Sequence, residues 1–256
     1  MTSDMTEEIE LFTGVKFSER ITRAHFGCGI LVISKLLEIT KHNVPLKYLL
    51  WTLYFLKHNP GNYGSKIPTN YQTWLPKVRA VLHELNNSLP EFSLNRGSKS
   101  LRKRTSIIGV VDVTRTKIPK PSIEPWTYYS MKDKFHALKT EVVISLEPPY
   151  KILWINTGYR GSVADITIAR DQLLPNLTNN QKLLADLGYL GEPGKLETPY
   201  KGGRHMLSRE EKRYNYHHVM KRQTIERANS RLKIFKIVKE WNRKDYEFHS
   251  LCVSVV

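Results

Sequence analysis

Seven consecutive residues, Ile107-Ile108-Gly109-Val110-Val111-Asp112-Val113, constrain this chain more than any other stretch. An almost unbroken β-branched run reads as a short strand buried on both faces, the kind that sits in a sheet with helices on either side. A carboxylate inside such a run is costly unless something compensates it, because desolvation outweighs weak pairing. Asp112 therefore needs a chemical reason. Two further strand-like runs follow, Ala137 to Leu146 and Tyr150 to Thr157, joined by Glu147-Pro148-Pro149, a connection short enough for antiparallel neighbours. Gly161-Ser162 then leads into a helix through Asp165 to Leu174, and a fourth strand is expected at Lys182 to Asp186. The Gly- and Pro-rich stretch Gly188 to Gly203 reads as loop with one short strand at Glu197 to Tyr200. The order is β-β-β-α-β, which predicts a mixed α/β sheet flanked by helices.

A long helix comes next. Ser208 with Glu211 three positions on forms a capping box, and the helix is expected to run at least to Val238. Ile225, Ala228, Leu232 and Phe235 fall on one buried face, and Arg222, Glu226, Asn229 and Lys233 share the stripe beside it. The first hundred residues read as helical instead, over Ile21 to Ile39, Pro45 to Lys57 and about Thr69 to Leu89, with a turn at His58 to Gly64. The last of these helices is the candidate DNA-recognition helix through Lys77 and Arg79, but Trp74, Val78 and Val81 on it equally suit ordinary packing. Asn95 to Ser100 and Arg102-Lys103-Arg104 have the composition of a surface linker, which divides the chain into a helical region, 1–104, and an α/β region, 105–256.

Charge narrows the partner. The 256 residues carry 40 Lys+Arg and 24 Asp+Glu, a formal net charge of +16, and residues 199–244 alone hold 14 basic and 4 acidic side chains. Such a surplus on a folded body favours a polyanion, nucleic acid first. The longest apolar runs fall far short of the roughly 18 residues that a membrane span requires, so a soluble protein without a membrane role is expected. The N-terminal residues lack a secretory signal, and Cys28 and Cys252 frame neither a disulfide scaffold nor a zinc site, which points to a reducing intracellular compartment. His217 and His218 are adjacent, cannot chelate from one helical face and read as solvated. Trp126, Tyr128 and Tyr129 either stack on bases or start the second strand and pack.

Asp112 and Asp186 both interrupt or close strands. If those strands are parallel neighbours, the two carboxylates approach and repel until a proton or cation intervenes. Hard carboxylate oxygens suit Mg²⁺ or Mn²⁺, and Glu226 on the helix could supply a third ligand. Singly, an Asp at a strand end also caps turns, and a Glu among arginines is usually a surface ion pair.

Five pieces in order resemble the endonuclease domain of PIF/Harbinger-type DDE transposases and their domesticated relatives. They are Gly109-Val110-Val111-Asp112-Val113-Thr114, Gly161-Ser162-Val163-Ala164-Asp165, Leu184-Ala185-Asp186-Leu187-Gly188-Tyr189, Thr198-Pro199-Tyr200, and Ile225-Glu226-Arg227-Ala228-Asn229-Ser230-Arg231-Leu232-Lys233. The helical first hundred residues are similar, more weakly, to that family's helix-turn-helix-like N-terminal region. The resemblance implies a ribonuclease H-like fold. It assigns catalysis and metal binding to Asp112, Asp186 and Glu226 with two Mg²⁺ or Mn²⁺ ions, and transposon-end cleavage with or without strand transfer. Arg222, Arg227, Arg231 and Lys233 are the candidate phosphate contacts. It further implies a homo-oligomer working in the nucleus with a Myb-like accessory DNA-binding protein. A domesticated protein that keeps the fold and no longer cleaves is the alternative. The family commonly has Gly where this chain has Val113, a small residue at Leu187, and His at Ala164, so Asp165 reads as a helix N-terminal acid.

Overall fold

The computed structural model describes residues 2–61, 67–89, 94, 106–203 and 205–256. The expected boundary at 104/105, the linker Asn95 to Ser100, the Arg102-Lys103-Arg104 cluster and residues 62–64 of the expected turn lie outside the described residues. The chain divides into two compact units, residues 1–90 together with 232–256, and residues 91–231.

The first unit is helical: α1 (Thr2–Thr13), α2 (Glu19–Phe26), α3 (Ile30–Ile39), α4 (Leu46–His58), α5 (Tyr71–Ser88), and, from the far end of the chain, α10 (Lys236–Lys239) and α11 (Tyr246–Val255). Local chemistry sets these limits. The Ser18 hydroxyl accepts from the Ile21 N–H at 3.2 Å to open α2, and Gly27 at φ 78° closes it, so the expected helical stretch 21–39 is two helices rather than one. Asn70 Oδ1 accepts from the Thr73 N–H at 2.9 Å at the start of α5. The core is aromatic: Phe55 lies 5.7 Å from Trp74, 6.4 Å from Trp241 and 5.7 Å from Phe248, centroid to centroid.

The second unit is built on a six-stranded mixed sheet: β1 (Ser106–Lys117), β2 (Tyr129–Ser130), β3 (Phe135–Ser145), β4 (Ile152–Arg160), β5 (Gln181–Leu184) and β6 (Leu196–Glu197). β3 is antiparallel to β1, β2 and β4, while β1–β5 and β5–β6 are parallel. A four-residue helix, α6 (Pro125–Tyr128), precedes β2. Between β4 and β5 stand α7 (Asp165–Ile168), a π-helical turn (Ala169–Leu173) and α8 (Leu174–Asn176). Val111 and Val113 point to one face of β1 and pack with Val143, Ile168, Leu173 and Tyr189. Asp112, by alternation, points to the other.

Two expectations are corrected here. Asp112 does not close its strand, because β1 runs on to Lys117, paired throughout with β3. The long helix, α9 (Arg209–Leu232), stops six residues before Val238. Lys233 and Ile234 form a turn closed by the Phe235 N–H on the Leu232 carbonyl at 3.0 Å, and the Phe235 ring lies where a Cβ on Gly27 would sit, at 2.6 Å. Seating that ring in the helical unit overrides the helical periodicity.

Candidate active site

Parallel pairing of β1 with β5, in the register Val110↔Leu184, brings Asp112 and Asp186 to the same region of the sheet. Asp112 is half-buried in the middle of β1. Burial pushes its carboxyl above the usual range, the Val113 backbone N–H and Arg222 oppose that rise, and the nearby charges of Asp186 and Asp165 reinforce it. Asp186 follows β5 and caps the 3₁₀ turn Leu187–Tyr189, its Oδ1 accepting from the Gly188 N–H at 2.8 Å. The turn-capping role and the approach to Asp112 therefore coexist.

Asp165 plays a larger part than a helix N-terminal acid. It opens α7, yet its carboxylate takes Lys139 Nζ at 2.8 Å and Arg115 Nη2 at 3.2 Å, and Lys139 is itself only 5% exposed. Arg115 also reaches Asp133 at 3.1 Å. Gly188 separates two of the acids: a Cβ there would stand 2.9 Å from Asp186 Oδ1 and 3.5 Å from Asp165 Oδ2. Deeper in the sheet, Glu141 on β3 is fully buried, and its carboxyl is pushed up to about 8, chiefly by burial and further by Asp165. The Trp154 indole N–H favours the charged form, but neither Glu141 oxygen attains hydrogen-bond geometry. Tyr189, also fully buried, has a hydroxyl without a partner among the described residues.

From α9 it is Asn229 that touches Asp112, Nδ2 donating to Oδ2 at 3.0 Å, while Asn229 Oδ1 is buried without a hydrogen bond among the described residues. Arg222, two turns earlier, contributes its charge to Asp112. Glu226 lies between them on the same stripe but is exposed, and its carboxylate has no hydrogen-bond or ion-pair partner among the described residues. The structure thus gathers Asp112 and Asp186, with Asp165, and does not gather the Glu226 carboxylate with them. Among the described residues no group of three or more His, Cys, Asp or Glu side chains is positioned to hold one metal ion. Asp112 and Asp186 still suit a divalent cation. They are hard oxygen donors, Asp112 is destabilised by like charge, and the unpaired Asn229 Oδ1 is a further hard oxygen beside it.

Of the cationic candidates, Arg227, Arg231 and Lys233 are exposed and enter no ion pair among the described residues, whereas Arg222 is half-buried near Asp112. Lys77 and Arg79 are engaged within the helical unit: Lys77 Nζ sits 5.6 Å over the Tyr48 ring, and Arg79 pairs with Asp245 at 2.5 Å and lies over Phe248. Trp74, Val78 and Val81 are buried, as the packing reading of α5 requires. His218 is corrected from solvated to buried, its Nε2–H donating to the Glu197 carbonyl at 3.0 Å, and burial foremost holds its pKa down. His217 is exposed. Trp126 is 69% exposed and packs little. No described helix is long and apolar enough to cross a membrane. Lys139 was not legible as a site residue, whereas Asp165 and Asn229 stood in two of the family-like pieces and Asn229 shared the Glu226 stripe.

Comparison with known proteins identifies a family for the second part of the chain. The profile of the family described as DDE superfamily endonuclease matches residues 111–256, which include Asp112, Asp186 and Glu226. A protein of Microchaete diplosiphon described as "Probable transposase for insertion sequence element IS702" is 33% identical over 172 residues, 65% of this chain and 61% of that protein. The chain thus spans about three fifths of that relative's length. No solved structure matches.

Proposed function

Since the chain belongs to the DDE superfamily of endonucleases, we propose that it is a divalent-metal-dependent DNA endonuclease of the transposase type, with Asp112, Asp186 and Glu226 as its metal-holding and catalytic residues. The observation that carries this reading is the parallel β1–β5 pairing, which sets two acids 74 positions apart in the chain within mutual electrostatic range. A ribonuclease H-like fold is the matching architecture: an antiparallel β1–β3–β4 portion, parallel β5 and β6 on the other side of β1, and acids on β1 and after β5. Glu226 is one helical turn from Asn229, about 4.5 Å along the axis, on the stripe of the helix that reaches Asp112.

Two Mg²⁺ or Mn²⁺ ions, when bound, would supply activation of the attacking oxygen and stabilisation of the leaving 3′ oxygen. The chain's own residues do the rest. Asp186 is held by the Gly188 N–H, Asp112 by Asn229, and the Lys139–Asp165–Arg115 cluster keeps a third acid compensated beside them. Arg227, Arg231 and Lys233 are free to neutralise backbone phosphates, and the N-terminal helices, in a helix-turn-helix-like role, would carry sequence preference. The PIF/Harbinger-type subtype, strand transfer, homo-oligomerisation, a nuclear site of action and a Myb-like accessory protein belong to the same proposal, as does a functional division at 104/105.

Nicking of supercoiled plasmid tests it. Cleavage should require Mg²⁺ or Mn²⁺ and be lost in Asp186→Asn and Glu226→Gln while DNA affinity survives; metal-independent nicking, or variants that cut like the parent, would overturn it. A second reading, a DNA-binding protein that no longer cleaves, is favoured by Asn229 occupying Asp112 while Glu226 stands unpartnered. It predicts salt-sensitive DNA binding with no nicking in either metal.

A further inference from the structure

Beside the two acids lies a cleft of about 480 Å³ that the reading above does not use, lined by Tyr189, Glu192, Glu197, Thr198, Tyr200 and Tyr214 among others. Its position follows from the sheet. The Ala185 N–H donates to the Glu197 carbonyl at 2.9 Å in the parallel β5–β6 pair, so Asp186 and Thr198 leave neighbouring strands side by side. Adjacent strands are ~4.8 Å apart. The wall of the cleft therefore begins about one strand spacing from the backbone of Asp186, a residue assigned to phosphodiester chemistry.

Its chemistry is aromatic and acidic. The Tyr200 and Tyr214 rings meet edge to face at 5.2 Å, and Tyr200 is 51% exposed, leaving ring surface open. Tyr200 is fixed through its backbone, its N–H donating to Asn215 Oδ1 at 2.8 Å and its carbonyl accepting from Asn215 Nδ2 at 3.1 Å. The Tyr214 hydroxyl faces Glu197 Oε2 at 3.4 Å, and burial together with Glu197 pushes it up to about 12, so it remains a protonated donor. Glu192 is ion-paired with Arg170 at 2.9 Å and Glu197 with Lys182 at 3.5 Å, and each carboxylate keeps lone pairs that can accept from N–H groups. A flat π system carrying an amino group meets both the open ring and the acceptors.

We propose that this cleft receives an unstacked nucleobase bearing an exocyclic amine, adenine or cytosine, from a nucleotide next to the scissile phosphate. The base lies on Tyr200 and its amine is taken by Glu197. The inference rests on the phosphodiester reading of Asp112 and Asp186. Stacking of one base on an aromatic side chain is worth ~1–3 kcal/mol, on the order of five- to more than a hundredfold in affinity.

The test is calorimetric titration of the full chain, in Ca²⁺, with the trinucleotide TAT, with TTT, and with the same backbone carrying an abasic centre. The adenine probe should bind about fivefold or more tighter than the abasic one. Tyr200→Ala, whose backbone contacts to Asn215 are untouched, should erase that margin and leave abasic affinity unchanged, and Glu197→Gln should narrow the margin of adenine over thymine. Equal affinity for the adenine and abasic probes, or a margin that survives Tyr200→Ala, overturns the cleft. An adenine margin with abasic binding indifferent to Asp186→Asn keeps the cleft and rejects the phosphodiester reading. Abasic binding that Asp186→Asn weakens, without an adenine margin, does the reverse. Failure of every probe to bind rejects both.

Discussion

The side-chain amide of Asn229 donates to Oδ2 of Asp112 across 3.0 Å, tying the middle of α9 to the middle of β1. That bond meets a half-buried carboxylate already crowded by Asp186 and Asp165, so its loss leaves charge with less compensation. Asn229→Ala should lower metal-free stability by about 1–2 kcal/mol, and Asn229→Asp should lower it further. The aspartate should then gain more from Mn²⁺ than the parent does, because a cation binding only the folded form stabilises it. Urea denaturation with and without Mn²⁺ measures both; an Asn229→Asp variant that Mn²⁺ stabilises no more than the parent would count against a cation beside Asp112.

Lys139 and Asp165 form a buried pair, 7% and 12% exposed at the side chain. Removing Asp165 strands the buried Lys139 ammonium, so Asp165→Leu alone should destabilise by about 3 kcal/mol or more, and Lys139→Met by less, because Arg115 still pairs with Asp165. The double variant Lys139→Met/Asp165→Leu should recover a large part of that loss. A double-mutant cycle by chemical denaturation, with a coupling near zero, would show that the pair is not a unit.

Glu141 gives stability a pH dependence whose sign is fixed. Its folded pKa, about 8, stands above the value of 4.5 for a free glutamate. The folded form therefore holds a proton that the unfolded form gives up between those values. The contribution is fully present below about pH 4.5 and is lost as pH rises through about 8. Glu141→Gln should remove this decline, so that variant and parent diverge in denaturation midpoint between pH 5 and 8. Parallel curves would mean that Glu141 is charged in the fold.

Gly188 should prove intolerant for a local reason. A Cβ at 2.9 Å from Asp186 Oδ1 forces that flexible carboxylate to move, a small penalty for folding but a large one for a cation site. Gly188→Ala is expected to lose divalent binding, followed by Mn²⁺ paramagnetic resonance, at a stability cost of about 1 kcal/mol or less.

Arg227 and Arg231 are exposed and unpaired among the described residues. If they contact phosphates, replacing each by Ala should lower the slope of log affinity against log salt by about one. Unchanged slopes would place the phosphate track elsewhere.

Much of the sheet was readable because β-branched runs declare themselves: β1, β3, β4 and β5 all overlap the expected segments, each running past at least one of their limits. Asp112 stood out for the same reason, as a charge in a run that should exclude one. What escaped depends on partners far along the chain. α9 ends early because the Phe235 ring finds a seat on Gly27, and His218 is buried because a carbonyl on β6 awaits its ring. Lys139 gave no signal of its role, since nothing within the neighbouring residues announces that Asp165 will pair with it. α1 was missed although Met5, Ile9 and Thr13 recur at a spacing of four and are buried.

The helical unit is assembled from two stretches separated by some 140 residues, and Trp241 and Phe248 from the second complete the cluster around Phe55. During synthesis the first five helices would emerge and wait, with an unfinished aromatic centre, until Trp241 and Phe248 leave the ribosome. The region that matches the endonuclease family begins at residue 111, inside β1, and so contains most of one unit and a fragment of the other. The segment shared with relatives and the segment able to fold alone are different objects, and expressing residues 111–256 in isolation would strand Trp241 and Phe248 without the helices they were meant to fill.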